Sequence, residues 1–274
     1  MSVSTYLATM QGIERLPVEA STLDEATLRT GHGVYSVMRI YPGHRVLRFD
    51  RHLARLRRSG QGLGMRIEVT DAWLRDSLRQ AVLASGFEQA RARITVPFDT
   101  PDQAILSLEE FTPPHDNLYT QGVRVGLAEA ARVEPAIKNT RFIEQRQTIL
   151  QQAGSDWYEI LMHTPAGRIL EGTGSNFYGV LNGTLRTAGE GVLEGIARGL
   201  LLDVAPAIIP VVMQAVTVGD LPHLSEAMLT SASRSVIPIV QIGEVVIGQG
   251  QPGDIARRLR QAYEQKVEQE LETL

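Results

Sequence analysis

Short strand-like runs come in neighbouring pairs along this chain, and that pairing limits the folds open to it more than any other feature. "HGVYSVMRIY" (32–41) is rich in β-branched and aromatic residues and reads as a strand. "GHRVLRF" follows across Pro42, Gly43 and His44, a turn signal, so the two predict a hairpin. "ARITVPF" and "AILSLEEF" read as two more strands. Further on, "YEILMHT", "RILEGT", "SNFYGVL" and "TLRTA" predict four short strands, the last two joined by the hairpin pair Asn182-Gly183. "GVRVGLAEAARV", "PVVMQAVTV", "EAMLTSAS" and "VIPIVQIGEVVI" add others. Helical patterns interrupt them irregularly. "DRHLARLRRSGQGLG" places Leu53 and Leu56 on one face, with Asp50 as N-cap and Gly60 as the stop. "TDAWLRDSLRQAVLASG" is amphipathic through Trp73, Leu74, Leu78, Val82 and Leu83, and Gly86 ends it. "TRFIEQRQTILQQAG", the helix opened by the turn in "LEGIARGLLLDVAP", and the closing "PGDIARRLRQAYEQKVEQELE" complete the set. Hairpins within so irregular an order predict α+β domains, not a doubly wound parallel sheet.

A chain of 274 residues is long enough for two ordinary domains. The proline-rich "TPPHDNLYTQG" marks the break between them. The expected division is a smaller N-terminal α/β domain over 1–112, a linker over 113–121 and a larger mixed-sheet domain over 122–274. Cysteine is absent, which excludes disulfides, cysteine-ligated zinc and thiol catalysis, and fits a reducing compartment. No metal site is expected. The net charge of -4 is spread along the chain, with no basic block and no aromatic-basic interleaving, so nucleic acid is not an expected partner. "MSVSTYLATMQGIERLP" lacks a basic region followed by a long apolar core. The most apolar stretch, "GLLLDVAPAIIPVVM", is broken by Asp203, Pro206 and Pro210 and does not read as a membrane span. These features predict a cytoplasmic protein with no membrane partner.

Of 27 basic residues only Lys138 and Lys266 are lysine, and Lys266 lies in the charged tail "QAYEQKVEQELETL". Arginine serves wherever positive charge is enough. It cannot replace an amine that must lose its proton and attack a carbonyl. Lys138, in "EPAIKNTRFIEQRQ", is therefore a candidate Schiff-base lysine, with a surface lysine as the plain alternative. Three other segments stand beside it. In "RILEGTGSNFYGV", Glu171 ends a strand and is followed by Gly172 and Gly174; a rigid carboxylate next to backbone opened by glycine suits a closely held ligand, and equally a solvated hairpin. In "VLEGIARGLLL", Gly195, Ile196 and Ala197 open a helix whose free N–H groups favour a phosphate, as many glycine-initiated helices do without binding one. In "RHLARLRRS", Arg55 can clamp a phosphate in two-pronged fashion, or face solvent like its neighbours.

Taken in order, these segments resemble the class IV aminotransferases, the fold type IV family of pyridoxal 5'-phosphate enzymes that includes branched-chain and D-amino-acid aminotransferases and aminodeoxychorismate lyase. The resemblance runs from "GHGVYSVMRIY" to "SRSVIPIVQIG" and covers most of the chain. It implies the two-domain fold type IV architecture and a homodimer whose small domains cover each other's sites. It places Tyr35 as an active-site aromatic, Arg55 on the phosphate, Lys138 as the Schiff-base lysine and proton carrier, and Glu171 at the pyridine nitrogen. It places Ile196 and Ala197 at the phosphate-binding helix start, and Ser231 and Ala232 in the last phosphate-side loop. Arg39 and Arg93 are the candidates for the substrate carboxylate. Ala197 and Ala232 stand where the family often has threonine. Arg141 is unusual so near the lysine and is expected to face solvent, with recognition of a substrate carboxylate as the alternative. Phe98 stands where D-amino-acid enzymes tend to have a carboxylate-binding arginine. The implied activity is transfer of an amino group between an amino acid and a 2-keto acid. Two alternatives stand beside it: a 4-amino-4-deoxychorismate lyase, favoured by Glu144 and Gln145 at the spacing of a pair in the lyases, and a cofactor-binding protein without turnover.

Overall fold

In the computed structural model, residues 3–154 and 156–274 are described. The chain divides into two compact units. The first comprises the residues through Thr112 together with Ile137–Glu144 and Glu270–Leu274; the second comprises Pro113–Ala136 and Gln145–Gln269.

The first unit is built on seven strands: β1 (Ser4–Thr9), β2 (Gly12–Arg15), β3 (Gly33–Tyr41), β4 (Arg45–Leu47), β5 (Ala90–Pro97), β6 (Ala104–Glu110) and a C-terminal strand, Leu271–Thr273. Their order across the sheet is C-terminal strand, β4, β3, β5, β6, β1, β2. Every pairing is antiparallel. Alternation along β3 sends Val34, Met38 and Ile40 into a core shared with Phe49, Leu53 and Leu56 of helix α2 (Phe49–Gly62) and with Leu74 and Leu78 of α3 (Asp71–Ser85). Helix α1 (Leu23–Thr30) packs Leu23 and Ala26 against Val37. Gly33 is required by the closeness of β3 to β5, since a Cβ there would lie 2.2 Å from the Val96 carbonyl oxygen.

The start and end of α2 differ from expectation. Asp50 is not the N-cap; that position is Arg48, held in a left-handed conformation with φ 49° and making no side-chain cap bond. The first N–H of the helix, on Phe49, instead donates to Glu272 Oε1 at 2.8 Å, from the C-terminal strand. Arg75 holds the other oxygen of Glu272 at 2.8 Å. Gly60 does not stop the helix but lies buried inside it, where a Cβ would stand 2.9 Å from the Met65 carbonyl oxygen. The closing helix likewise ends at Glu270, and the residues after it turn into the strand beside β4. The last five residues thus belong to the first unit, which no linear division of the chain conveys.

The second unit carries nine strands: β7 (Val123–Glu129), β8 (Glu159–His163), β9 (Ile169–Gly172), β10 (Asn176–Leu181), β11 (Thr184–Arg186), β12 (Val211–Val212), β13 (Glu226–Ser231), β14 (Ser235–Ile242) and β15 (Val245–Val246). The sheet runs β12-β11-β10-β13-β14-β7-β8-β9, with β15 on β14. β7 is parallel to both β14 and β8, so the sheet is mixed. β9 also pairs back onto β10 through Glu171 and Asn176, which closes β10, β13, β14, β7, β8 and β9 into a ring. Val125, Leu161, Ile169, Phe177, Leu229, Ile237 and Ile239 pack together in its core. The expected strand "PVVMQAVTV" is split: Val211 and Val212 pair with Leu185 and Arg186 of β11, and Thr217 bridges Arg168 in antiparallel fashion. No helix among the described residues is long and apolar enough to cross a membrane.

Because α2 draws its first N–H partner from the chain's far end, Glu272→Ala should cost about 1 kcal/mol of stability, as loss of a helix cap does. Chemical denaturation of the full chain checks this. An unchanged midpoint would show that water satisfies Phe49 equally well.

Candidate active site

Lys138 is carried on a short segment that pairs with the open edge of β3. β4 covers only Ile40 and Tyr41 on that side, which leaves the first half of β3 exposed to another partner. The segment fills it. Tyr35 N donates to the Lys138 carbonyl at 3.0 Å, Thr140 N donates to Gly33 O at 3.0 Å, and Asn139 bridges Val34 in antiparallel fashion. Thr140 Oγ1 also accepts from Gly33 N at 3.0 Å. Lys138 N donates to Ser59 Oγ at 3.0 Å, and Ser59 in turn donates to Arg55 O at 2.9 Å. The backbone of Lys138 is thereby tied to a strand and a helix at once. Its Nζ stands 4.6 Å from the centre of the Tyr35 ring.

Arg55 is buried on α2. Its Nη2 donates to Ser36 Oγ at 2.9 Å, and Ser36 Oγ lies 2.9 Å from His52 Nδ1. Helical spacing sets His52, Arg55 and Ser59 on one side of α2, facing Ser36 of β3. Burial, and then the charges of Arg55 and Lys138, push the His52 pKa well below the ordinary value of 6.5. His52 is a neutral imidazole packed against a permanently charged guanidinium. Nothing in "RHLARLRRS" distinguishes it from a solvated histidine; the serine that holds it lies 16 residues away.

In the second unit Glu171 is buried at the ring closure between β9 and β10. Oε1 accepts from Arg132 Nε at 2.7 Å, and Oε2 accepts from Leu193 N at 3.2 Å and from Asn176 Nδ2 at 3.4 Å. Asn176 Nδ2 also donates to Leu193 O at 2.9 Å. Gly195 N then returns to Leu193 O at 2.8 Å, and Gly195 caps the helix Ile196–Val204. A Cβ on Gly195 would fall 2.3 Å from Asn176 Oδ1, so only glycine lets the helix start approach Asn176. The carboxylate and the N–H groups of Ile196 and Ala197 are linked through two residues. Arg132 and Asn176 were not singled out from sequence, although Asn176 lies in the matched stretch "EGTGSNFYGV". Ser231 ends β13, and Ala232 begins the turn into β14.

The two candidate substrate arginines are committed elsewhere. Arg93 is buried and donates to Leu23 O at 2.9 Å, to Thr27 Oγ1 at 2.5 Å and to Asp24 Oδ1 at 2.6 Å, which ties β5 to α1. Arg39 donates to Gln89 Oε1 at 2.9 Å and lies between the rings of Tyr41 and Phe111. Both act as structural ties within the first unit, so their geometry gives the expected substrate contacts no support. Arg141 is exposed at the start of its helix, with its guanidinium 5.3 Å from the Phe98 ring. Tyr35 is buried, with the Arg93 guanidinium 4.7 Å from its ring.

A family model described as amino-transferase class IV matches residues 33–242. The chain is 24% identical over 267 residues to a putative branched-chain-amino-acid aminotransferase of Methanocaldococcus jannaschii, covering 92% of each. It is also 24% identical over 263 residues to the D-alanine aminotransferase of Listeria monocytogenes, covering 89% of this chain and 90% of that one. Among solved structures, the branched-chain aminotransferase of Thermoproteus uzoniensis with norvaline superposes with a TM-score of 0.80 at 22% identity, covering 99% of both chains. These likenesses establish a fold type IV architecture.

The depressed His52 pKa has a consequence for stability. Unfolding releases a histidine that takes up a proton near pH 6.5, whereas the folded protein resists that proton. Stability should therefore be full above 6.5 and fall as the pH drops below it. Urea unfolding at several pH values should show a steeper acid loss for the wild type than for His52→Gln. Parallel curves would mean that His52 is protonated in the folded chain.

Proposed function

The chain belongs to the class IV aminotransferase family, and we propose that it moves an amino group between an amino acid and a 2-keto acid, using pyridoxal 5'-phosphate held through Lys138. The observation that carries this reading is the fixed backbone of Lys138, a lysine in an arginine-using chain, bonded to β3 and α2 on both sides of its side chain.

The residues present suit this cofactor. It offers an aldehyde, a ring nitrogen and a phosphate. The chain offers an amine on a fixed backbone, a buried carboxylate, a buried guanidinium, and a helix start that Gly195 keeps close to Asn176. Lys138 would hold the aldehyde carbon. Glu171, held by Arg132, Asn176 and Leu193, would hold the proton of the ring nitrogen. Arg55, the N–H groups of Ile196 and Ala197, and the turn at Ser231 and Ala232 would take the phosphate. When bound, the cofactor supplies an electron-withdrawing ring and a carbonyl that takes up amines. Lys138 Nζ then serves as the base that accepts the substrate Cα proton and returns it. Arg55 needs no proton exchange at any working pH, which suits a permanent phosphate anchor. Tyr35, packed beside Lys138, would line the pocket. The homodimer implied by the family resemblance belongs to the same reading, and sedimentation of dilute protein tests it.

The substrate side is open between branched-chain amino acids and D-alanine, since relatives named for either match at the same identity. A panel of both enantiomers with and without a keto acid acceptor decides this. Pyruvate release that needs no acceptor would turn the reading to a lyase.

Borohydride treatment of the cofactor-loaded protein should place a pyridoxyl group on the peptide that contains Lys138. A label on Lys266, or none, would overturn the assignment. Glu171→Gln should retain the cofactor while slowing amino transfer by roughly 100-fold, the scale of removing one electrostatic partner of developing charge. A wild-type rate in single-turnover assays would remove Glu171 from the chemistry.

A further inference from the structure

The turn that carries Ala232 is held from outside. β13 ends at Ser231 and β14 begins at Ser235, paired with each other, so Ala232, Ser233 and Arg234 alone reverse the chain. Arg234 N lies 3.5 Å from Ser231 O, and Ser235 has φ 56°. Glycine takes a positive φ at no steric cost. Serine there is strained.

Arg234 reaches from this turn to a second loop. Its Nε donates to Ser231 Oγ at 2.8 Å and its Nη2 donates to Gly174 O at 3.3 Å. Nη1 stands 2.8 Å from Glu159 Oε2, an ion pair by distance without the alignment of a hydrogen bond. Glu159 is buried, and its Oε1 accepts from Gly174 N at 2.6 Å and Ser175 Oγ at 2.8 Å. A Cβ on Gly172 would lie 2.4 Å from that same oxygen, so the residue after Glu171 has to be glycine for Glu159 to enter. Tyr119 donates its hydroxyl to Arg234 O at 3.0 Å, and the Tyr158 ring lies 5.5 Å from the guanidinium. Burial opposes the charge on Arg234, but Glu159 and then Tyr158 more than offset it. One planar group satisfies three directions here, which a lysine ammonium on a flexible stem does not reproduce.

We propose that Arg234, paired with Glu159, is a positioning residue that locks the Gly172–Ser175 loop and the Ser231–Ser235 turn into one arrangement before any cofactor binds. That this lock presets the Glu171 side and the phosphate side of a cofactor site rests on the reading under Proposed function; the lock itself does not.

The test uses the full chain, cofactor-free, as wild type, Arg234→Met, Arg234→Lys and the double variant Arg234→Met with Ser235→Gly. Hydrogen exchange of peptides covering 172–175 and 231–235 is measured, followed by titration with pyridoxal 5'-phosphate. Arg234→Met should speed exchange in both segments together and leave the strands of the ring protected. It should weaken cofactor binding about 10- to 100-fold, the scale of losing charge-assisted hydrogen bonds, with an unchanged absorbance spectrum at saturation. Relieving the strain with Ser235→Gly should recover part of that affinity. Arg234→Lys, which keeps the charge, should still loosen both segments, and it decides the matter if the methionine variant does not fold. Exchange that changes in one segment or in neither, or full restoration by lysine, would overturn the lock. A wild type that binds no pyridoxal phosphate would instead overturn the proposed function, while the exchange data still judge the lock.

Discussion

The second unit closes on a single pair of residues, Glu171 of β9 opposite Asn176 of β10. A carboxylate buried at such a seam is costly unless donors surround it. Here Arg132, the Asn176 amide and the Leu193 N–H provide them. The seam of the ring and the proposed contact to the cofactor nitrogen are therefore one structure. Asn176 extends it to the start of the Ile196–Val204 helix through Leu193 and Gly195. The position of the carboxylate and that of the helix N–H groups are set by the same few bonds.

The first unit solves an equivalent problem with an amine. A lysine side chain is long and mobile, so only its backbone can be fixed directly. The open half of β3 and Ser59 of α2 do this. α2 in turn carries Arg55 and His52, and its first N–H is satisfied by Glu272. The C-terminal strand therefore supports the same helix that bonds Lys138. Neutral His52 adds a hydrogen-bond partner to Ser36 without adding a second cation beside Arg55.

Much of this was legible in the sequence where the cause is local. The hairpin at Asn182-Gly183 follows from turn chemistry, and Asn182 does take a positive φ. Lys138 stood out by residue type, because outside Lys266 in the charged tail the chain uses arginine. Glu171 stood out by its glycine neighbours. What escaped depends on partners far along the chain. Asp50 has the chemistry of an N-cap, yet the helix takes Glu272, 223 residues beyond Phe49. Arg39 and Arg93 look like ligand residues in a list of arginines, and become ties to Gln89 and to α1 only once the strands are paired. Glu159 and Arg234 read as ordinary strand and turn residues until the fold sets them 2.8 Å apart.

The central claim is that the buried Glu171 carboxylate is the charged partner of the cofactor's ring nitrogen. Nitrogen-15 NMR of the protein loaded with ring-labelled pyridoxal 5'-phosphate measures the protonation of that nitrogen directly. The account predicts a protonated ring nitrogen in the wild type that becomes neutral in Glu171→Gln. A neutral nitrogen in the wild type, or a protonated one in both, would contradict it.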